Sequence, residues 1–139
     1  MNVFPSPTQV PLENPEAARR QEPRRWRDKF REALRGLKFG VRGQSSFFVH
    51  FFFAALVIAA ALVLRCPLIE GCVLLGCIGL VLVAELFNSA IETLFRGLEE
   101  EARDRVWPCL EIAAGAVLLA SGFAVVIGGL IFLRLLNIL

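Results

Sequence analysis

Ala84-Glu85-Leu86-Phe87-Asn88-Ser89-Ala90-Ile91-Glu92 closes an otherwise apolar run, and its reading decides the fold. Upstream, Gly71 to Ala84 contains no charge. Glu85, Asn88 and Glu92 follow one another at i, i+3 and i+7, so a helix of 3.6 residues per turn places all three on one face. Ionisable side chains at membrane depth are expensive unless paired, and they mark functional positions by default.

The rest of the chain shows that the run is a membrane segment. Of 139 residues, 56% are hydrophobic, and mean hydropathy is +0.62. An ordinary soluble domain is less apolar and does not gather its apolar residues into long runs. Ser46 to Leu64 is apolar except for His50, and Ile112 to Leu133 carries no charge. About 20 apolar residues cross the hydrocarbon core of a bilayer as a helix. Spans are therefore predicted over about 46–64, 68–97 and 109–134, the second projecting past the bilayer on the cytoplasmic side. The predicted organisation is a tail over 1–22 and a single membrane domain over 23–139. Residues Met1 to Pro23 hold five prolines and no apolar core, so the tail reads as disordered rather than as a secretory signal.

Charge gives an orientation. Arg19 to Arg42 holds ten of the 15 Lys and Arg residues, against Arg65 alone in the loop after the first span. The positive-inside rule puts the N-terminus in the cytoplasm and the C-terminus outside. Within the basic stretch Trp26, Phe30, Ala33, Leu34 and Leu37 form one apolar stripe flanked by Arg27, Arg31, Arg35 and Lys38. This is the pattern of an amphipathic helix, over about 24–42, lying on an anionic leaflet. The membrane spans account for the basic run, and no nucleic-acid partner is expected. Glu99 to Arg105 reads as a solvated charged loop, with Pro108 in the first turn of the helix that follows. Cys66, Cys72, Cys77 and Cys109 have no metal-ligand spacing and read as small buried side chains. His50 reads as a buried, hydrogen-bonded neutral side chain.

Near one interface, Glu85 and Glu92 with Glu111 at the start of the third span allow several chemistries. A carboxylate can take a proton from a hydroxyl. A pair can hold Mg²⁺ through oxygen. Membrane carboxylates can relay protons, or simply bind helices together.

The octapeptide Glu85-Leu86-Phe87-Asn88-Ser89-Ala90-Ile91-Glu92 resembles the E-x-x-N-S/T-A-I/L-E signature of the small prokaryotic integral-membrane diacylglycerol kinases, a family that includes undecaprenol kinases. Ala113-Ala114-Gly115-Ala116-Val117-Leu118 is similar to the start of that family's third membrane helix, and Leu34-Arg35-Gly36-Leu37 to its surface helix. The resemblance covers roughly Arg24 to Leu133. It implies an all-α membrane protein, with an amphipathic surface helix and three transmembrane helices, assembled as a homotrimer in the inner membrane. It also implies ATP-dependent phosphorylation of a lipid hydroxyl, with Mg²⁺ as cofactor. Carried over, Glu85 is the general base, Asn88 lies near the phosphates and Glu92 is a Mg²⁺ ligand.

The chain departs from the pattern at several positions. Gln44 stands where the family has a second Mg²⁺-binding Glu, and Phe48 where it has Arg. Arg96 replaces an Asp. Leu110-Glu111 replaces Lys-Asp, so Glu111 takes the Asp position while the phosphate-binding cation is lost. Arg96, Arg103 or Arg105 could restore it. The alternative is a catalytically impaired relative acting as a scaffold or regulatory partner.

Overall fold

The computed structural model describes residues 25–42 and 45–138. Four helices follow in order: α1 (Trp26–Val41), α2 (Ser45–Val63), α3 (Leu68–Arg96) and α4 (Glu100–Leu135). The expected tail over 1–22 and Gln44 lie outside the described residues. The chain forms two compact units that divide between Arg35 and Gly36, within α1.

Helix α1 buries none of its residues. Trp26, Phe30, Leu34 and Leu37 keep their stripe exposed. Asp28 in the first turn and Lys38 in the last suit the helix dipole. An uncovered apolar stripe with cations beside it is what a helix in the plane of a bilayer surface presents.

Helices α2, α3 and α4 each contain a stretch long and apolar enough to cross a membrane. Their large side chains face outward: Phe48, Phe52, Phe87, Leu118, Phe123 and Val125 are all exposed. Hydrocarbon offers no reason to hide them, so packing relies on small residues that let backbones approach. Helix α3 buries Leu74, Val81 and Asn88 and helix α4 buries Ala113, Ala120 and Gly128, each set spaced by about two turns. Three contacts fix one antiparallel register from end to end. The Phe95 and Trp107 rings meet edge to face with centroids 5.7 Å apart. Leu74 Cδ2 lies 3.7 Å from the place where a Cβ on Gly128 would stand. Arg134 donates to Glu70 at 3.0 Å. This register sets Ala113 level with Ser89 and Leu110 level with Glu92.

The turn after α2 is a Schellman cap. The Cys66 amide donates to the Ala61 carbonyl at 2.8 Å and the Arg65 amide to that of Leu62 at 3.2 Å. Arg65 takes the left-handed conformation that this cap requires, with φ of 51°. Pro67 then stops any continuation and gives its carbonyl to the Gly71 amide, the first bond of α3.

Three sequence expectations are corrected. Cys72 and Cys109 are exposed, and Cys66 and Cys77 partly so, rather than buried, because hydrocarbon gives an apolar side chain no reason to hide. Residues Glu100 to Arg105 are the opening turns of α4, not a loop. Their acidic start, Glu100 and Glu101, favours a helix N-terminus, and α4 thus begins well before the apolar run. Pro108 is consequently inside α4 rather than in its first turn.

Candidate functional site

The signature occupies the second half of α3, and its side chains separate into a buried pair and an emerging polar ladder. Glu85 and Ser89, one turn apart, are each 2% exposed. Ala113 of α4, also buried, allows that helix to close over this level. From Asn88 onward the ladder leads outward: Asn88 Nδ2 donates to Glu92 Oε1 at 2.9 Å, and Arg96 Nη2 donates to Glu92 Oε2 at 3.2 Å. The i, i+4 spacing that put these residues on one face also puts them within reach of each other.

Glu85 is different in kind. Its Oε1 has no hydrogen-bond partner among the described residues. Its Oε2 faces His50 of α2, whose Nε2 is 3.7 Å away. The His50 ring is half-buried and lines a groove of about 430 Å³. The rest of that lining is nearly all apolar, from Val49 and Phe53 of α2, Leu74 and Val81 of α3, and Val125 and Phe132 of α4. A buried carboxylate with a lone acceptor oxygen, next to an apolar groove between membrane helices, can receive a proton from a polar group on a hydrophobic molecule.

The other expected site residues do not all gather here. Glu111 is exposed on α4 and accepts a hydrogen bond from Trp107 Nε1 at 3.2 Å. Arg96 is held against Glu92, as above. Arg103 sits over the Phe95 ring, 5.9 Å from its centroid, and its Nε donates to the Leu98 carbonyl at 3.0 Å. It is committed to the end of α3. Two participants escaped the sequence reading. His50 carried no sign of its link to Glu85, because the register between two helices is not written in either one. Ser89 could have been found, since it is one turn beyond Glu85 on the same face.

A Mg²⁺ ion was expected at Glu92 and Gln44. Both oxygens of Glu92 already receive hydrogen bonds, one from a cationic guanidinium. Among the described residues, no three His, Cys, Asp or Glu side chains form a group that could hold a metal ion.

Comparison with known proteins gives the chain a family. A Synechocystis sp. protein named diacylglycerol kinase is 35% identical over 112 residues, covering 75% of this chain. The chain spans about 60% of the length of that relative. No solved structure matches. The model of the family described as prokaryotic diacylglycerol kinase matches residues 31–132, from within α1 to near the end of α4. The chain is a multi-pass, all-α membrane protein and belongs to the prokaryotic diacylglycerol kinase family.

Proposed function

We propose that this protein is a lipid kinase that transfers the γ-phosphoryl group of ATP to the hydroxyl of a diacylglycerol or undecaprenol, with Glu85 as general base. The observation that carries this reading is the buried Glu85, its Oε1 unpartnered among the described residues, beside an apolar groove within the membrane bundle. The acyl or prenyl portion of the acceptor lies in the groove and its hydroxyl reaches Glu85. Phosphoryl transfer asks the protein mainly to position reactants and screen charge, so few residues are required. Asn88 and Arg96 lead from Glu85 toward the helix end and face the incoming nucleotide. Glu111 orders Trp107 beside them. The kinase domain is residues 23–139, a homotrimer in the inner membrane with the N-terminus in the cytoplasm. ATP arrives with its own Mg²⁺.

One observation favours a second reading, a catalytically impaired member. The cation expected from the family at position 110 is a leucine, level with Glu92, while Arg96 neutralises Glu92 itself.

Purified protein in lipid nanodiscs, given radiolabelled ATP and a panel of membrane alcohols, tests the two. Phosphorylation of one of them is expected, lost by at least about 10²-fold in Glu85→Gln with helicity unchanged. Failure of every variant, including combined Gln44→Glu and Leu110→Lys, would leave the impaired reading.

A further inference from the structure

Arg96 and Glu92 stand one turn apart at the emerging end of α3, with Arg96 Nη2 3.2 Å from Glu92 Oε2. Unlike the deeper part of the ladder, both side chains open to solvent, Arg96 by 68% and Glu92 by 32%. Glu92 is also held from the inside. Asn88, itself buried, donates through Nδ2 to Glu92 Oε1 at 2.9 Å. The carboxylate is thus oriented by the bundle and turned toward a guanidinium that lies largely in solvent.

An accessible, oriented carboxylate is a ready ligand for a hard cation, because Mg²⁺ is commonly held by one or two carboxylates together with phosphate oxygens and water. Here a side-chain cation is already in that place. Like charges about 4 Å apart repel even at the dielectric of water, so the guanidinium and a divalent ion compete for one carboxylate. Arg96 also has another class of partner. A guanidinium carries five N–H donors in a fork that fits phosphate oxygens, whereas an exposed i, i+4 pair with a carboxylate is worth little and is readily exchanged.

We propose that Arg96 is a resident counter-ion for Glu92, closing that carboxylate to divalent cations until an anion draws the guanidinium away. The identity of the anion, a polyphosphate, rests on the lipid-kinase reading. A polyphosphate that engages Arg96 uncovers Glu92 for the cation that accompanies it. The two side chains restrain each other: Glu92 keeps Arg96 from the anion, and Arg96 keeps Glu92 from the cation. Removing either partner therefore helps the ligand of the other, which a pair that served helix stability alone would not do.

The test uses the full chain in nanodiscs of zwitterionic lipid, with Mn²⁺ alone and metal-free ATP in chelator as separate probes. Free Mn²⁺ is counted by electron paramagnetic resonance, and ATP binding is followed by calorimetry. Arg96→Gln is expected to bind Mn²⁺ about three- to tenfold more tightly than the wild type, the scale of a lost exposed pair plus a lost repulsion. Arg96→Lys, which keeps the charge, should stay near the wild type. The gain should vanish when Arg96→Gln is combined with Glu92→Gln. With metal-free ATP the signs reverse: Glu92→Gln should bind it about threefold more tightly and Arg96→Gln more weakly. Mn²⁺ affinity in Arg96→Gln no higher than in the wild type, or a gain that survives in the double variant, overturns the counter-ion. Weaker binding of metal-free ATP by Glu92→Gln overturns it too, since Glu92 would then serve the nucleotide directly. A Glu92-dependent gain for Mn²⁺, in a protein that neither binds ATP nor phosphorylates a lipid, defeats the kinase reading and leaves the counter-ion standing. Lipid phosphorylation by a protein whose Mn²⁺ affinity is indifferent to Arg96 does the reverse.

Discussion

Arg103 Nη2 donates to the carbonyl oxygen of Arg96 at 3.0 Å, returning a cation from α4 to the C-terminal turn of α3. The last carbonyls of a helix have no partners within it and carry partial negative charge, so a guanidinium is well matched there. Arg103→Ala is therefore expected to act on stability. It should lower the unfolding temperature and leave KM for ATP within about twofold. A selective rise in KM at constant stability would instead make Arg103 a phosphate ligand.

In the proposed kinase, other positions can also restore a phosphate-binding cation. Leu110 is half-buried and level with Glu92. Leu110→Lys is expected to raise the phosphorylation rate, since a preorganised cation stabilises charge that develops on the transferring group. If Arg96 or Arg105 already supplies it, Leu110→Lys changes little and Arg96→Ala or Arg105→Ala costs at least about tenfold, or roughly 1.4 kcal/mol of barrier. Rate measurements on the three single variants separate these cases.

At the other end of the bundle Glu70 and Arg134 are 64 residues apart in sequence and joined at 3.0 Å. Arg134 is largely exposed, which keeps the value of the pair small, about 0–1 kcal/mol. Glu70→Gln and Arg134→Gln should each give a small drop in stability. The double variant should lose no more than the worse single, because both remove one interaction. Strict additivity in a denaturant series would show the pair to be uncoupled.

Arg65 holds φ of 51° in the cap after α2. A side chain in that conformation costs about 1–2 kcal/mol, which glycine avoids, and glycine's extra freedom in the unfolded chain returns part of the gain. Arg65→Gly should consequently be more stable than the wild type by a fraction of a kcal/mol up to about 1. A loss of stability would mean that the Arg65 charge itself anchors the turn.

The proposed topology places the last residues outside. In a background with Cys66, Cys72, Cys77 and Cys109 replaced by serine or alanine, a cysteine added at the C-terminus should react with an impermeant thiol reagent applied to intact cells. Protection there, with reaction only after permeabilisation, reverses the orientation.

Helix identity was legible from residues such as Ser46 to Leu64 because apolar length is a one-dimensional property. The face shared by Glu85, Asn88 and Glu92 was legible for the same reason, since it depends only on the pitch of one helix. The beginning of α4 was not, because Glu99 to Arg105 is as hydrophilic as a loop and its helicity comes from dipole-matched acids and continuity with the helix behind. The His50–Glu85 approach and the Glu70–Arg134 pair were not legible either. Both depend on how far one helix slides along another, and the small residues that settle this, Ala113, Ala120 and Gly128, look like any others in an apolar run.

The ion pair at the start of α3 also gives the bundle a scale of depth. Glu70 and Arg134 mark where charge meets one face of the hydrocarbon. At 1.5 Å per residue Glu85 is about 22 Å below that mark and Glu92 about 33 Å, while the hydrocarbon is about 30 Å thick. Glu92 thus emerges at the far leaflet and Glu85 stops roughly 8 Å short of it. Water-soluble alcohols rarely visit that level, whereas a lipid carries its hydroxyl close to it by partitioning alone. In the proposed kinase the helix would work as a dipstick, sorting acceptors by how deep they hold their hydroxyl before any side chain recognises them.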